Sequence, residues 1–586
     1  MTGKTKHAAE TSAPPLRKLW TRLRAHRTSL LLGGVLNFAG GAVGLAQPLF
    51  AKYVVESLGN GDALARSLVV LSGLILVSAL MSALGGYVLE RTAHTLVLHI
   101  RRELVARLLR LRMSEVDRLK PGDLISRVTS DTNLLRNVVT NSITQLVSGV
   151  VLLVLGLAIM FYLDAVLFGI TVAVAIVVVL ILTRIIPHLA KSAFATQSAV
   201  GEMGARLERV FGAYRTFKSF SAEHSEMAQL GTVADRAWRK GVAVAGWQAG
   251  TGTLGWISVN LAFLIVLAVG ASRVSSNALE ISSLIAYLLL IFYLMQPVFS
   301  TLSGITVLQT GLAALRRIEE TALLETETEL DVADHRTCGA APAPATVVFD
   351  RVNFAYDADS TNVLTNVSFS VDGPGLTAIV GPSGTGKTTL LSLIERFYDA
   401  ADGSLAIDGK DVTEWPLREL RSNIGYVEQD SPVFDGSLRE NLTISAPDAT
   451  EEEISRAVEL ARLTDLTSTL PGGLDGEIGH RGATVSGGER QRIAIARALL
   501  RKPRVLLLDE VTSQLDAANE AALKRTITEI AEHATVIVVA HRLSTVSQAD
   551  RIIVMESGRV RVTGRHDELM DSDDLYQDLV RSQVLT

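Results

Sequence analysis

Gly381 to Thr389 reads GPSGTGKTT, with the apolar run Thr377-Ala378-Ile379-Val380 before it and Leu390-Leu391 after it. A buried strand, a glycine-rich turn and a helix start make a phosphate cradle. Backbone N–H groups converge on the anion, and Gly381, Gly384 and Gly386 permit close approach. In that geometry Lys387 reaches the β- and γ-phosphates and the Thr388 hydroxyl ligates Mg²⁺, with Ser383 and Thr389 completing the nucleotide-binding stretch. The competing reading is a plain glycine turn between two elements, and the rest of the chain weighs against it.

At 586 residues, 48% of them hydrophobic, with a mean hydropathy of +0.30, the chain is long and apolar for a single soluble domain. The apolar surplus sits in about the first 310 residues; beyond them short apolar strands alternate with charged helices. Hence a membrane half precedes a soluble half. A net charge of −5 gives no reason to invoke nucleic acid as a partner. The single cysteine, Cys338, excludes an intrachain disulfide and a multi-cysteine metal site. The basic residues from Lys4 to Arg27 precede an apolar run too long for a signal peptide, so they read as a cytoplasmic leader to a first membrane helix.

Six stretches are apolar enough to span a bilayer: about Leu30–Phe50, Leu68–Leu89, Ile143–Tyr162, Ala165–Thr183, Gly250–Ala271 and Ile281–Thr301. The third and fourth form a hairpin turning at Leu163-Asp164. Long, helix-patterned, basic connections follow the second and fourth, and positive-inside bias puts both, with both termini, in the cytoplasm. Each should form a rod that projects beyond the bilayer and reverses, one near Ser114 to Arg118, the other near Tyr214 to Phe217. No Asp, Glu, Lys or Arg falls within the spanning cores, which disfavours a proton- or metal-ion-coupled pathway. Gln145, Tyr162, Trp256, Asn260, Tyr287, Tyr293 and Gln296 fit a cavity wall, interfacial anchoring or interhelical hydrogen bonds equally well. Gly40-Gly41, Gly44 and Gly85-Gly86 are expected to let helices pack closely.

Two more elements follow the cradle. Val505-Leu506-Leu507-Leu508-Asp509-Glu510 describes a buried strand delivering acids to its carboxyl end, where Asp509 would hold Mg²⁺ and Glu510 would act as general base on water. Ser486-Gly487-Gly488-Glu489 opens a helix, either as a second anion-binding N-terminus or as an ordinary cap. Strands alternating with helices around them predict an α/β core with its ligand at the strand carboxyl ends.

Together these motifs, in this order, resemble the ATP-binding cassette (ABC) exporters, specifically half-transporters with one six-helix membrane domain ahead of one nucleotide-binding domain. The resemblance covers the chain from about residue 28 to its end. It implies that Tyr356 stacks on adenine, that Gln429 approaches Mg²⁺ and the attacking water, and that His541 contacts the γ-phosphate. It makes Glu477 and Arg481 part of a loop contacting the coupling helices, Asp516 part of a dimer-crossing loop, and the two cytoplasmic reversals the coupling helices themselves. Val485, Glu489 and Gln514 depart from the family's commonest residues, leaving the inter-site contact near Gln514 in question.

The expected architecture is therefore a multidomain membrane protein: an all-α six-helix transmembrane domain followed by an α/β P-loop ATPase domain. Residues 1–28 form a basic cytoplasmic segment, 29–318 the transmembrane domain, 319–345 a linker and 346–586 the nucleotide-binding domain. Its cofactors are ATP and Mg²⁺. In the family the signature Ser486-Gly487-Gly488-Glu489 of one chain covers ATP on another, so a homodimer is implied, with a heterodimer as the alternative. ATP-driven alternating access would export hydrophobic or amphipathic compounds, whether drugs, lipids or processed peptides, across a bacterial plasma membrane. A lipid flippase is the nearest alternative, and a nucleotide-gated channel or regulator the most distant.

Overall fold

The computed structural model describes residues 23–57, 61–327, 343–357, 361–479, 485–511, 517–540 and 542–584. Its contacts divide the chain into two units: one up to Leu108 and from Pro121 to Leu323, the other comprising Leu109–Lys120 and the chain from Leu324 onward.

The first unit is built from six long helices: α1 (Arg27–Glu56), α2 (Gly61–Leu108), α3 (Ile143–Leu163), α4 (Ala165–Gly212), α5 (Glu223–Ser275) and α6 (Ile281–Leu323). Each is apolar and long enough to cross a membrane, and these helices include the six stretches expected from hydropathy. At 1.5 Å per residue a 48-residue helix such as α2 is about 72 Å long, more than twice the ~30 Å hydrocarbon core, so the expected rods are continuous with their spans. Both reversals lie where the sequence puts them, at the short helices Met113–Val116 and Tyr214–Ser219.

Glycine lets these helices touch. A Cβ on Gly41 would lie 2.5 Å from Leu152 of α3, and one on Gly44 would lie 1.8 Å from the Tyr293 hydroxyl of α6. That hydroxyl instead donates to the Gly41 carbonyl at 3.0 Å. Gly40 and Gly85 are equally crowded between α1 and α2, but a Cβ on Gly86 would meet nothing within 4 Å among the described residues. Tyr287 is buried and pairs with Thr171 of α4 at 3.0 Å, an interhelical bond; Asn260 donates to Trp256 of its own helix. At the α3–α4 turn the Asp164 carboxylate caps α4 through Val166 and Leu167 N–H, both at 2.9 Å, and receives Arg273 of α5 at 2.9 Å.

The second unit has two sheets. β1 (Val347–Phe354), β2 (Leu364–Val371), β4 (Asp402–Ile407) and β5 (Lys410–Asp411) form an antiparallel sheet in the order β2-β1-β4-β5. The larger sheet runs β10-β9-β3-β8-β7-β6, parallel except for its edge strand β10 (Arg559–Gly564). Its core strands are β3 (Gly375–Val380), β6 (Ile424–Val427), β7 (Val505–Asp509), β8 (Thr535–Val539) and β9 (Arg551–Glu556). Strict alternation sorts their side chains: Ala378, Leu506 and Val538 enter one apolar cluster, while Ile379, Leu507 and Ile537 enter another. A sheet buried on both faces needs such continuous apolar runs, and its parallel strands all end at one edge.

Candidate functional site

The turn after β3 and the helix α7 (Lys387–Ile394) form the cradle at that edge. Gly381 has φ 151°, and a Cβ there would come within 2.3 Å of the Met555 carbonyl, so only glycine fits. Gly384 and Gly386 have φ 81° and 92°, the latter at the N-terminus of α7. The turn thus exposes the N–H groups opening α7, where anions are favoured. Lys387 is buried and its Nζ donates to the Gly381 and Pro382 carbonyls at 2.9 Å each, folded back over the cradle. Burial holds its pKa below the ordinary lysine value, opposed by the charges of Glu510 and Asp509.

Asp509 ends β7 beside Thr388, whose Oγ1 donates to its Oδ1 at 3.2 Å. Burial pushes the Asp509 carboxyl up to about 6; the Thr388 bond and Lys387 pull it down, and Glu510 adds to the rise. A cation would relieve this buried acid. A carboxylate and a hydroxyl are hard oxygen donors, the chemistry that suits Mg²⁺. Glu510 has φ 49°, a left-handed conformation rare outside glycine, and its N–H donates to the Val539 carbonyl of β8 at 3.2 Å. Its Oε2 accepts from Gln429 Nε2 at 3.0 Å. Lys387, Thr388, Asp509, Glu510 and Gln429, spread over more than 120 residues, therefore meet at one sheet edge.

Tyr356 follows β1 and is 44% exposed; its hydroxyl bonds Thr389 Oγ1 at 2.9 Å, and its ring lies edge-on to Tyr398, 5.1 Å between centroids. A cleft of about 480 Å³ borders Tyr356, Gln429 and Asp509, with Tyr398 and Asp117 also in its wall. Asp117 accepts from the Tyr398 hydroxyl, and Arg118 pairs with Asp357 next to Tyr356. The sequence marked the reversal that holds Asp117 and Arg118 but not their partners Tyr398 and Asp357, because these lie more than 230 residues away and no local pattern joins them.

Ser486 caps helix α9 (Gly487–Leu500; α8, Leu417–Ser422, precedes it) in a reciprocal box: its Oγ accepts from Glu489 N–H at 3.3 Å, and Glu489 Oε2 accepts from Ser486 N–H at 2.6 Å. The geometry is that of the cap, with Gly487 and Gly488 opening the helix. Glu477 pairs by a backbone bridge with Ser437. Arg481, Asp516 and His541 lie outside the described residues.

Residues 30–298 match the protein-family model described as ABC transporter transmembrane region, and residues 364–513 match the one described as ABC transporter. The chain is 31% identical over 578 residues to the ATP-dependent lipid A-core flippase of Haemophilus influenzae, spanning 97% of each. It is 30% identical to the multidrug resistance ABC transporter ATP-binding and permease protein of Lactococcus lactis, over 98% of this chain and 96% of that one. Among solved structures it is similar to a bacterial Atm1-family ABC exporter with ATP bound, at 29% identity and a TM-score of 0.77, over 95% of this chain and 98% of the other.

Proposed function

Because this chain belongs to the ABC transporter family, as a half-transporter that hydrolyses ATP and works with a dimer partner, we propose that it exports hydrophobic or amphipathic compounds, drugs or lipids, as a homodimer. The observation that carries the reading is the convergence of Lys387, Thr388, Asp509, Glu510 and Gln429 in a chain that also has six candidate spans.

Lys387 binds the β- and γ-phosphates over the N–H groups of residues 383–389, Ser383 and Thr389 among them. Tyr356 offers its exposed face to the adenine. Thr388, Asp509 and Gln429 are the residues to hold Mg²⁺, which when bound neutralises phosphate charge. Glu510 takes the proton from the attacking water, and Gln429, already bonded to that carboxylate, orients it. His541 is assigned to the γ-phosphate, and Ser486, Gly487, Gly488, Glu489 and Asp516 to ATP on the partner subunit. Each chain has one set of both halves, which favours two identical copies.

Alternating access needs a large bias: moving a two-state equilibrium from about 1:99 to 99:1 takes on the order of 5.5 kcal/mol of differential binding. A nucleotide held between two subunits meets that need, because many of its contacts exist only in the closed dimer. The spanning cores, free of Asp, Glu, Lys and Arg, suit apolar cargo better than free ions. Positive-inside bias supports cytoplasmic termini, and the bacterial relatives support a plasma membrane location.

The test is ATP hydrolysis and ATP-driven uptake of a fluorescent hydrophobic drug into inverted vesicles, for the native chain and for Glu510→Gln. A native chain active alone, with a variant that binds ATP but transports nothing, supports a homodimeric exporter. Activity only after a second chain is added replaces the homodimer with a heterodimer, and hydrolysis without drug uptake redirects the search to lipids.

A further inference from the structure

The chain passes between its two units at three points, and the segments following two of them are stitched together inside the second unit. Residues 110–112, which follow α2, run beside residues 325–327, which follow α6. Leu111 and Thr326 form an antiparallel bridge, Arg112 N–H donates to the Glu325 carbonyl at 3.1 Å, and Glu327 N–H donates to the Arg110 carbonyl at 2.8 Å. The Arg112 side chain pairs with Glu325 at 3.2 Å and with Asp399.

Beside the Arg112–Asp399 pair, one side chain fastens this bridge directly to the end of α7. Arg421, in α8, grips both oxygens of the Glu327 carboxylate, at 2.7 and 3.0 Å. The same guanidinium donates to the carbonyls of Glu395 and Arg396 at 3.1 and 3.3 Å, and lies over the Phe397 ring at 5.2 Å. Glu395 is the C-terminal cap of α7, whose first residue is Lys387. A guanidinium is planar and forked, so four such bonds fix orientation as well as distance. The two acceptor carbonyls lie at the helix end, where carbonyls have no partner within the helix.

We propose that Arg421 is a positioning residue that couples the nucleotide site to transport. Displacement of α7 reaches Glu327 through Arg421, and the bridge from Thr326 to Leu111 shares it between the ends of α6 and α2, so that the two helices respond together. Without Arg421 the cradle keeps its own residues, but the bridge loses its direct hold on the end of α7 and keeps only the Arg112–Asp399 pair. This inference rests on the exporter reading above.

The test uses the full chain in lipid nanodiscs. A Cys338→Ser background carries a nitroxide at Ser276→Cys, near the end of α5, and reports the distance between protomers with and without Mg-ATP. Native protein is compared with Arg421→Ala, Glu327→Gln and the double variant. The expected result is an ATP affinity and hydrolysis rate within about threefold of native, while the ATP-driven distance shift falls by at least half. The double variant should be no worse than Arg421→Ala.

A purely structural role would instead lower hydrolysis and the shift in proportion, and that outcome overturns the proposal. So does a full shift in both single variants. If Arg421→Ala fails to fold, Glu327→Gln decides alone, because it leaves Arg421 bonded to Glu395 and Arg396. A native chain that hydrolyses no ATP and shows no shift overturns the homodimeric exporter reading, and this proposal with it. A shift retained in the variants overturns this proposal only.

Discussion

Gln429 Nε2 donates to Glu510 Oε2 at 3.0 Å, tying the loop after β6 to the carboxylate that follows β7. The two strands are hydrogen-bonded neighbours, so the bond crosses a single strand spacing. Glu510 is thereby held from the β6 side.

Replacing Glu510 by Gln removes the basic oxygen and keeps the shape. General-base assistance contributes about 10²–10⁴-fold, so hydrolysis should fall by that range while ATP binding persists. Paired ATPase and nucleotide-binding assays check this; a variant with more than a tenth of native turnover would remove Glu510 from the role.

Thr388→Val deletes a hydroxyl and leaves the Asp509 acid with one hydrogen bond fewer. The Mg²⁺ concentration for half-maximal hydrolysis should rise by about 10–100-fold, the scale seen when a group supporting a metal site is lost. A Mg²⁺ titration at fixed ATP reads it, and an unchanged midpoint argues against Thr388 as a ligand.

Gly381→Ala puts a Cβ against the Met555 carbonyl at a backbone conformation suited to glycine. Strain of this kind costs about 1–3 kcal/mol. Both the thermal midpoint and ATP affinity should drop, whereas Gly86→Ala, with open space around it, should leave the midpoint unchanged.

Burial pushes the Glu395 carboxyl up to about 7, although Arg421 and Arg501 pull it down. Between the ordinary glutamate value of 4.5 and about 7, the folded chain binds a proton that the unfolded chain does not. This group's contribution to stability therefore rises as pH falls through that window, and its charged form is costly above it. Glu395→Gln should be stabilising at pH 8, by an amount on the order of 1–3 kcal/mol, and its advantage should vanish towards pH 5. Melting curves of both proteins across that range check it; a constant offset would contradict the burial argument.

Asp164 is nearly buried while it caps α4 and receives Arg273. Asp164→Ala removes the cap, at a cost of about 0.5–2 kcal/mol, and leaves Arg273, 30% exposed, without this partner, so the added loss stays below that of a fully buried pair. Asp164→Ala combined with Arg273→Met should recover part of the loss in a detergent melting assay. No recovery would mean that the cap, not the pair, dominates.

The sequence by itself determined the elements whose causes are local. Apolar length marked the six spans and the turn at Leu163-Asp164, basic helix-patterned connections marked the two reversals, and continuous apolar runs marked the buried strands before Gly381 and Glu510. The residue types of the cradle were equally legible, because a phosphate-binding turn is built from consecutive residues. Only the tertiary structure decided which distant residues meet. Gln429 reaches Glu510, Tyr287 bonds Thr171 instead of remaining an undecided polar group, and Gly86 lacks the neighbour its type suggested. Asp117 meets Tyr398, and Arg421 joins Glu327 to the end of α7. The reason is physical: a charged or polar side chain has no preferred partner along the chain, and its partner is fixed only when packing of the apolar faces brings remote segments to one edge.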